Sequence, residues 1–167
     1  MPRPDTDLIT RDLRSDEGMR LSPYYDSRDQ LTIGIGHCLD TNPMTPAQVA
    51  LVGHDGRDDP ITQEQAYSIL ADDLECTYEL LDSHAAWWAD LDEVRARVIA
   101  EMCFNMGWGN GAHGLSSFVH TLYYFKSGNY AAASAGMLAS GWASQVGARA
   151  NRLARMVASG KDIAPGA

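Results

Sequence analysis

The spacing of apolar and polar positions separates a mixed N-terminal part of the chain from a helical remainder. Residues 6–16 place apolar side chains at helical intervals, which predicts a short helix. Residues 24–39 surround a polar turn at 27–30 with aromatic and β-branched residues, a pattern typical of a β-hairpin. Residues 40–60 are rich in proline, glycine and aspartate and predict a loop with a single helical turn. Helix, hairpin and loop are therefore expected in this part.

A long helix is predicted where this mixed pattern stops. It begins at Thr62, with Ile61 just before the cap, and apolar residues continue at helical spacing as far as Leu81. The rest of the chain predicts further helices separated by glycines, at residues 91–106, 117–126, 129–140 and 146–159. The C-terminal part is therefore expected to be all-helical.

Together these elements predict an α+β fold that is mostly helical. We expect one domain, 1–167, in which a small N-terminal lobe at about 15–62 carries a β-hairpin or small sheet. A connecting helix at about 62–82 joins it to an all-helical C-terminal lobe at about 83–160, which also takes in helix 6–16. A cleft between two such lobes is a usual place for a ligand.

Composition and charge exclude several classes of protein. Of the 167 residues, 45% are hydrophobic, enough to bury a core without metals or disulfides. No apolar run approaches the roughly 18 residues of a membrane helix, so no stable membrane association is expected. The start lacks the order of a signal peptide, which predicts that the chain stays in the cytoplasm where it is made. The net charge of −9 argues against nucleic acid as a partner.

The cysteines Cys38, Cys76 and Cys103 do not suggest a disulfide framework or a metal site. Their number is odd, their neighbours are mostly apolar, and neither a CxxC motif nor a zinc-ligand spacing with histidine is present. We expect reduced core thiols. The acidic loop 54–59 lacks the ordered ligand spacing of a calcium loop, so a solvated loop without metal is expected there.

The stretch TIGIGH at residues 32–37 predicts a strand with two different faces. Thr32 and both glycines lie on one face, while the isoleucines and His37 lie on the other. The glycine face would leave room for a ligand, although glycines that only permit twist or a bulge explain the pattern equally well. A phosphate-binding loop is excluded, because there is no third glycine, no Lys-Ser/Thr pair and no helix directly afterwards.

Two carboxylates near this strand suggest acid–base chemistry. Glu17 is placed at the end of the first predicted helix, and Asp26 follows nine positions later in a turn flanked by tyrosines. The negative end of a helix suits a proton donor, whereas a polar turn suits an ionised carboxylate. Such a pair across a bound sugar is what glycoside hydrolysis needs, and Thr32 could hold a water between Asp26 and the sugar. A solvated helix end and an ordinary turn residue are the alternative interpretation.

The segment at residues 16–37, which begins DEG and ends TIGIGH, resembles the signature of the phage-type lysozymes, glycoside hydrolase family 24, the family of the T-even phage enzyme. The resemblance continues through the connecting helix, the stretch 91–107 and the last third, where it rests on Trp142, Gln145 and Arg149. It implies a lysozyme-like fold. It also implies hydrolysis of the β-1,4 bond between N-acetylmuramic acid and N-acetylglucosamine in bacterial peptidoglycan, without a cofactor.

The resemblance also implies roles for single residues. Glu17 would be the general acid, Asp26 the base or nucleophile, and Thr32 the residue that positions the water. His37 would form a structural ion pair with Asp73 on the connecting helix. Contacts to the sugar are implied for four further residues: Phe104, Thr121, Gln145 and Arg149.

Two other functions stay open at this point. A lytic transglycosylase needs only a glutamate, and a wall-binding module needs no working site, so Asp26 and Thr32 argue against both. The resemblance implies that bacterial peptidoglycan is the partner. Because the start lacks a signal peptide, we expect a monomer that depends on a separate pore protein for access to the wall. The protein would cause host cell lysis after release from the host cytoplasm, or act as a component packaged in a virion.

Overall fold

The computed structural model describes residues 3–167 and has a mostly helical α+β fold, which confirms the predicted fold class. The α-helices in the described part are α1 (Thr6–Glu17), α2 (Pro46–Val52), α3 (Gln63–His84), α4 (Glu93–Met106), α5 (Val119–Lys126), α6 (Tyr130–Leu138), α7 (Gly141–Val146) and α8 (Ala148–Ser159). The strands are β1 (Arg20–Tyr25), β2 (Leu31–Gly34) and β3 (His37–Cys38). Short 3₁₀ turns occupy Ala86–Asp90 and Leu115–Ser117.

The chain forms two compact units. The sheet unit is Leu13–Cys76, and the helical unit is Thr77–Ala167 together with the chain start up to Asp12. Helices α1 and α3 each contribute residues to both units. The expected single domain, with lobes at about 15–62 and 83–160 joined by a connecting helix at about 62–82, stays a prediction.

The sheet has three antiparallel strands in the order β1-β2-β3. β1 is irregular between Arg20 and Tyr24, because Arg20 pairs with Gly34 while Tyr24 pairs with Thr32. Thr32 also pairs with Cys38, so one row of side chains crosses all three strands. This register places Thr32 in the middle of the sheet.

The stretch 32–37 is a hairpin and not the single strand that its alternation predicts. β2 ends at Gly34, the chain turns at the next two residues, and His37 returns to pair with Ile33. Gly34 and Gly36 have positive φ angles of 66° and 70°, which residues with a Cβ rarely adopt. The repeated glycines therefore mark a tight turn.

The sheet unit has an apolar core closed by α3. The predicted start of this helix is confirmed by a capping box, in which Thr62 and Gln65 each accept a hydrogen bond from the other's backbone N–H, at 3.1 and 2.8 Å. The segment 40–60 contains α2, which is longer than the single turn predicted there. The core cluster consists of Leu31, Ile33, Leu39, Met44, Ile61, Ala66 and Ile69.

The helical unit is built around α4. Its residues from Ala96 to Cys103 are all buried, which means that neighbouring segments cover this helix on every side. The predicted helix at 146–159 is present as α8, which begins at Ala148 after Gly147 with φ 58°, whereas α7 before it was not predicted. The other predicted helices of this part are present with shifted ends.

The three cysteines are reduced thiols, as predicted. Cys103 is buried, and burial raises its pKa to about 12, while Cys38 is half-buried. Cys76 is exposed on α3, so the prediction of a core position is wrong for this residue. Within residues 3–167, no three His, Cys, Asp or Glu side chains are placed to hold a metal ion. None of the described helices combines the length and apolar character needed to cross a membrane.

Candidate active site

Glu17 is the last residue of α1, and its half-buried side chain belongs to the sheet unit. Gly18, with φ 72°, follows directly where the helix ends. The backbone of Gly36 borders the carboxylate, since a Cβ on Gly36 would lie 3.1 Å from Glu17 Cγ and 3.2 Å from Oε2. Any larger residue at position 36 would collide with the Glu17 side chain. The turn between β2 and β3 therefore helps to define the position of the Glu17 carboxyl group.

The two glycines of this turn have different neighbours. Gly36 faces Glu17, whereas a Cβ on Gly34 would lie 3.5 Å from Ile61 and 3.6 Å from Ala66 in the core. The prediction that both glycines leave one sheet face open to a ligand is therefore wrong for Gly34. At Gly36 the space is taken by the candidate acid itself.

Asp26 begins the turn between β1 and β2 and is held by the backbone of that turn. Its Oδ1 accepts hydrogen bonds from the N–H groups of Arg28 and Gln30, at 2.8 and 3.0 Å. Asp29 completes the turn with a left-handed φ of 59°. The second oxygen, Oδ2, lies 3.9 Å from Arg28 Nε, which is beyond hydrogen-bonding distance, so this oxygen can face a substrate.

Thr32 lies buried in the central strand and is tied to the same turn as Asp26. Its hydroxyl donates to the Gln30 carbonyl at 3.1 Å, and the Asp26 N–H donates to that carbonyl at 3.0 Å. Because the hydroxyl proton is used in this bond, the lone pairs of Thr32 Oγ1 are left as acceptors. The carbonyl of Gln30 therefore holds both Asp26, the candidate base, and the Thr32 hydroxyl, whose oxygen can accept a hydrogen bond from a water.

Tyr24 lies opposite Thr32 in the sheet and close to several charged groups. The Cζ atom of Arg20 stacks over its ring, 4.5 Å from the ring centre. Burial raises the pKa of the Tyr24 phenol above its usual value of 10.0, the charge of Arg20 opposes this, and the charges of Glu17 and Asp26 raise it further. The pKa of Tyr24 is therefore raised in the unit that contains both candidate carboxylates, and the phenol is neutral.

His37 and Asp73 join β3 to α3 within the sheet unit. His37 Nδ1 lies 2.7 Å from Asp73 Oδ2, and Asn42 Nδ2 donates to Asp73 Oδ1 at 3.3 Å. The two side chains are 1% and 10% exposed, which suits a structural contact. The contact anchors the strand that follows Gly36 and so supports the turn beside Glu17.

The four residues expected to contact sugar all belong to the helical unit. Phe104 is half-buried on α4, Gln145 is exposed on α7, and Arg149 is buried on α8. Thr121 is buried on α5, where its hydroxyl packs against Gly136 of α6. Their contact with a sugar stays a prediction.

Two residues that shape the site, Gly36 and Tyr24, were not identified from the sequence as its neighbours. Counting outward from the centre of the predicted turn 27–30 would pair Tyr24 with Ile33, one position away from its true partner Thr32, so this pairing required the structure. The contact of Gly36 with Glu17 joins positions 19 apart, and no local pattern signals it.

A helix-end glutamate, a turn aspartate and a central-strand threonine lie in the sheet unit, and these are residue types that glycoside hydrolases use. The chain belongs to the phage lysozyme family, a family of glycoside hydrolases, since the family model for phage lysozyme matches residues 14–158. The match includes all three of these residues and confirms the resemblance that the motifs indicate.

Three relatives show how far the likeness extends. The chain is 30% identical over 159 residues to the pre-baseplate central spike protein Gp5 of Enterobacteria phage T4, covering 89% of this chain and 27% of that protein. It is 28% identical over 160 residues to probable T4-type lysozyme 1 of Dictyostelium discoideum, covering 89% of this chain and 92% of that protein. Probable T4-type lysozyme 2 of the same organism is 26% identical over 160 residues, with the same coverage. The chain thus spans about a quarter of the spike protein and nearly all of either lysozyme.

Proposed function

We propose that this protein is an endolysin-type muramidase, which hydrolyses the β-1,4 bond between N-acetylmuramic acid and N-acetylglucosamine in bacterial peptidoglycan. The observation that carries the proposal is that Asp26 and Thr32 share the carbonyl of Gln30 in the unit that also contains Glu17. Family membership supports the lysozyme class of chemistry. The roles of single residues rest on this geometry.

Glu17 acts as the general acid. Its proton passes to the glycosidic oxygen as the bond from that oxygen to C1 of N-acetylmuramic acid breaks, and positive charge develops on the sugar ring. The half-buried side chain, bordered by the backbone of Gly36, is partly shielded from bulk water. At the end of this step Glu17 is an ionised carboxylate, and a proton from solvent restores it.

Asp26 acts at C1. Its Oδ2 takes one proton from the attacking water, while Thr32 Oγ1 accepts a hydrogen bond from that water's other hydrogen. Because Oδ1 stays bonded to the turn, the carboxylate keeps its orientation. In a retaining reaction Oδ2 would instead attack C1 directly. An inverted anomeric configuration in the released sugar identifies the water mechanism, and a retained one identifies the covalent mechanism.

Binding of the glycan strand is assigned to the helical unit. Phe104 offers apolar surface to a sugar ring, while Thr121, Gln145 and Arg149 offer polar groups to hydroxyl, N-acetyl and carboxylate substituents. The protein works as a monomer without a cofactor, leaves the host cytoplasm through a pore made by a separate protein, and lyses the host from within. The likeness to a phage T4 spike protein favours packaging in a virion as the second route to the wall.

Mass spectrometry of peptidoglycan digested by the wild type and by Glu17→Gln tests the proposal. Hydrolysis gives reducing N-acetylmuramic acid ends that contain one added water, and these should appear with the wild type only. Predominant 1,6-anhydro ends would identify a lytic transglycosylase instead. Protein bound to the wall without any new ends would identify a wall-binding module.

A further inference from the structure

His54 contacts two backbone groups of the segment 53–60, which lies between α2 and α3 in the sheet unit. Its Nδ1 accepts a hydrogen bond from the Gly56 N–H at 3.1 Å. Its Nε2 lies 3.1 Å from the carbonyl oxygen of Pro60. The side chain is half-buried. One imidazole ring therefore bridges the middle and the end of this segment with both of its nitrogens.

The two partners of the ring determine its protonation state. A backbone N–H can only donate, so Nδ1 of His54 must offer a lone pair to Gly56. A carbonyl oxygen can only accept, so Nε2 must carry the hydrogen that Pro60 receives. The geometry thus requires a neutral imidazole with its proton on Nε2. In a doubly protonated ring, Nδ1–H would face the Gly56 N–H, and the hydrogen bond between them would be lost.

Gly56 is the residue at which the segment packs on the core of the sheet unit. It is buried, and an added Cβ would lie 2.6 Å from Met44 Cε and 3.6 Å from Leu39 Cδ2. A buried backbone N–H that loses its acceptor destabilises the packed arrangement. The hydrogen bond to His54 therefore helps to hold Gly56 against the core.

Charged groups from several elements surround this segment. Arg57 donates to the Leu39 carbonyl at 3.0 Å and pairs with Asp40 at 3.2 Å, while α2 has no charged residue. Besides Arg57, the charged residues of the segment and of β1, the chain after β3 and the first turn of α3 are Arg20, Asp40, Asp55, Asp58, Asp59 and Glu64. Carboxyl groups ordinarily titrate near about pH 4, guanidinium groups above about 12 and imidazoles near about 6.5. Histidine is therefore the residue type here that changes charge just below neutral pH.

We propose that His54 is a pH-sensitive switch of the segment 53–60, whose neutral ring holds the Gly56 N–H and whose second proton releases it. The hydrogen bond is present above the range in which histidine titrates and is lost as the pH falls through about 6.5. Release is local, because the bonds from Arg57 to Leu39 and Asp40 do not involve the ring. The inference goes beyond the proposed function and does not depend on it, since it concerns contacts within the sheet unit alone.

His54→Asn separates the hydrogen bond from the titration. An asparagine side chain readily accepts from the N–H two residues further on, which is the spacing of His54 and Gly56. The adjacent Asp55 already makes such a bond to the Arg57 N–H at 3.1 Å. Because an amide does not titrate, the variant should hold Gly56 at every pH. His120→Asn removes an exposed histidine of α5 and is the matched control.

Nitrogen NMR of the His54 ring and hydrogen exchange of the Gly56 amide measure the switch. At pH 7.5 the wild-type ring should carry its proton on Nε2 and none on Nδ1. The protection of the Gly56 amide, relative to an unstructured peptide at the same pH, should fall about 5- to 10-fold between pH 7.5 and pH 5.5 in the wild type, the effect of one lost hydrogen bond. His120→Asn should show the same fall, and His54→Asn should show none.

A proton on Nδ1 at pH 7.5 would overturn the inference, as would wild-type protection of Gly56 that does not change with pH. An equal fall in His54→Asn would also overturn it, because the titrating group would then be another one. If His54→Asn does not fold, the wild type decides alone. The chemical shifts of the Gly56 amide and the His54 ring should then titrate with one midpoint, and different midpoints would contradict the switch.

Discussion

Asp12 and Asp26 are the same residue type in two units, and their surroundings are opposite. In the helical unit, the side chain of Asp12 is 0% exposed and pairs with the equally buried Arg97 at 2.5 Å. In the sheet unit, the side chain of Asp26 is 21% exposed, and the paired guanidinium of Arg28 lies 3.9 Å away on a side chain that is 68% exposed. Asp12 is occupied by ion pairs to arginines, while Asp26 has one oxygen beyond hydrogen-bonding distance of its paired arginine.

The ion pairs of the helical unit form a network that extends well beyond Asp12. Arg97 also contacts Glu93 at 3.0 Å and Asp162 at 2.7 Å, and Asp162 in turn pairs with Arg11 at 2.8 Å. The network thus links α1 and α4 to the chain that follows α8. Burial and partners, more than residue type, separate carboxylates that hold the fold from those that can act on a substrate.

Asp26→Asn should give the largest effect, and it should be confined to activity. The amide oxygen can still accept from the N–H groups of Arg28 and Gln30, so the free energy of unfolding should change by less than about 1 kcal/mol. In the proposed mechanism this charge activates the water, so kcat should fall about 100- to 10,000-fold. Urea unfolding and turnover on a soluble glycan measure the two quantities. A loss of stability as large as the loss of activity would show that Asp26, like Asp12, stabilises the fold.

Arg97→Met should give the next largest effect, on stability. It removes the only fully buried partner of Asp12 within the described residues and leaves it Arg11 at 2.8 Å and Arg152 at 3.5 Å, which should lower the free energy of unfolding by about 3 kcal/mol. Arg28→Met, at the exposed partner of Asp26, should change it by less than about 0.5 kcal/mol. Urea unfolding followed by circular dichroism compares the two variants. Equal free energies of unfolding for Arg97→Met and Arg28→Met would show that the buried ion-pair network does not stabilise the helical unit.

Gly36→Ala should give a smaller effect that divides between fold and activity. Gly36 and Gly53 both have positive φ, 70° and 92°, so alanine at either position should cost about 1–2 kcal/mol of stability. Only at Gly36 does the added Cβ meet Glu17, whereas nothing lies within 4 Å of it at Gly53. We therefore expect kcat to fall about 10- to 100-fold in Gly36→Ala and to stay unchanged in Gly53→Ala. An equal loss of kcat in Gly36→Ala and Gly53→Ala would show that backbone strain, and not contact with Glu17, lowers the activity.

The smallest expected effect is an acid-dependent loss of stability at Asp162. Its hydrogen bond from Arg11, aided by Arg97, holds the pKa of Asp162 at about 2, below the ordinary value of 3.8. A carboxyl with a lowered pKa stabilises the fold above its ordinary value, and this contribution is lost as the pH falls from about 4 to 2. The effect should be modest because the side chain is 37% exposed.

Urea midpoints of the wild type and Asp162→Asn at pH 6 and pH 2 test this assignment. The difference between the two proteins should be present at pH 6 and nearly absent at pH 2. A difference of the same size at both pH values would show that the charge of Asp162 does not contribute to the stability of the fold.

Local signals in the sequence account for the parts of the fold that were predicted. The cap at Thr62 and the turn at 27–30 depend on residues close in sequence, and both appear in the structure. The hairpin within 32–37 was missed because alternating glycine and isoleucine also fit a strand. The pair of Asp12 and Arg97 joins positions 85 apart, and such a partnership leaves no local pattern.

The candidate site was predictable only in part, and for a similar reason. The motif gives Glu17, Asp26 and Thr32 as residue types at fixed spacings, but their surroundings depend on how the chain turns. The shared carbonyl of Gln30 and the contact of Gly36 with Glu17 follow from the two hairpin turns. Sequence patterns therefore predicted the candidate reacting groups, whereas the groups that hold them required the structure.

In the proposed mechanism Glu17 supplies the proton that cleaves the glycan. The release of reducing ends from purified peptidoglycan by the wild type, Glu17→Gln and Glu64→Gln tests this role. Glu64 is exposed in the first turn of α3, so it provides the same substitution at a solvated position of the same unit. We predict that Glu17→Gln loses at least about 100-fold in rate with a wild-type melting temperature, while Glu64→Gln keeps full activity. Equal release by Glu17→Gln and the wild type would show that Glu17 is not the general acid.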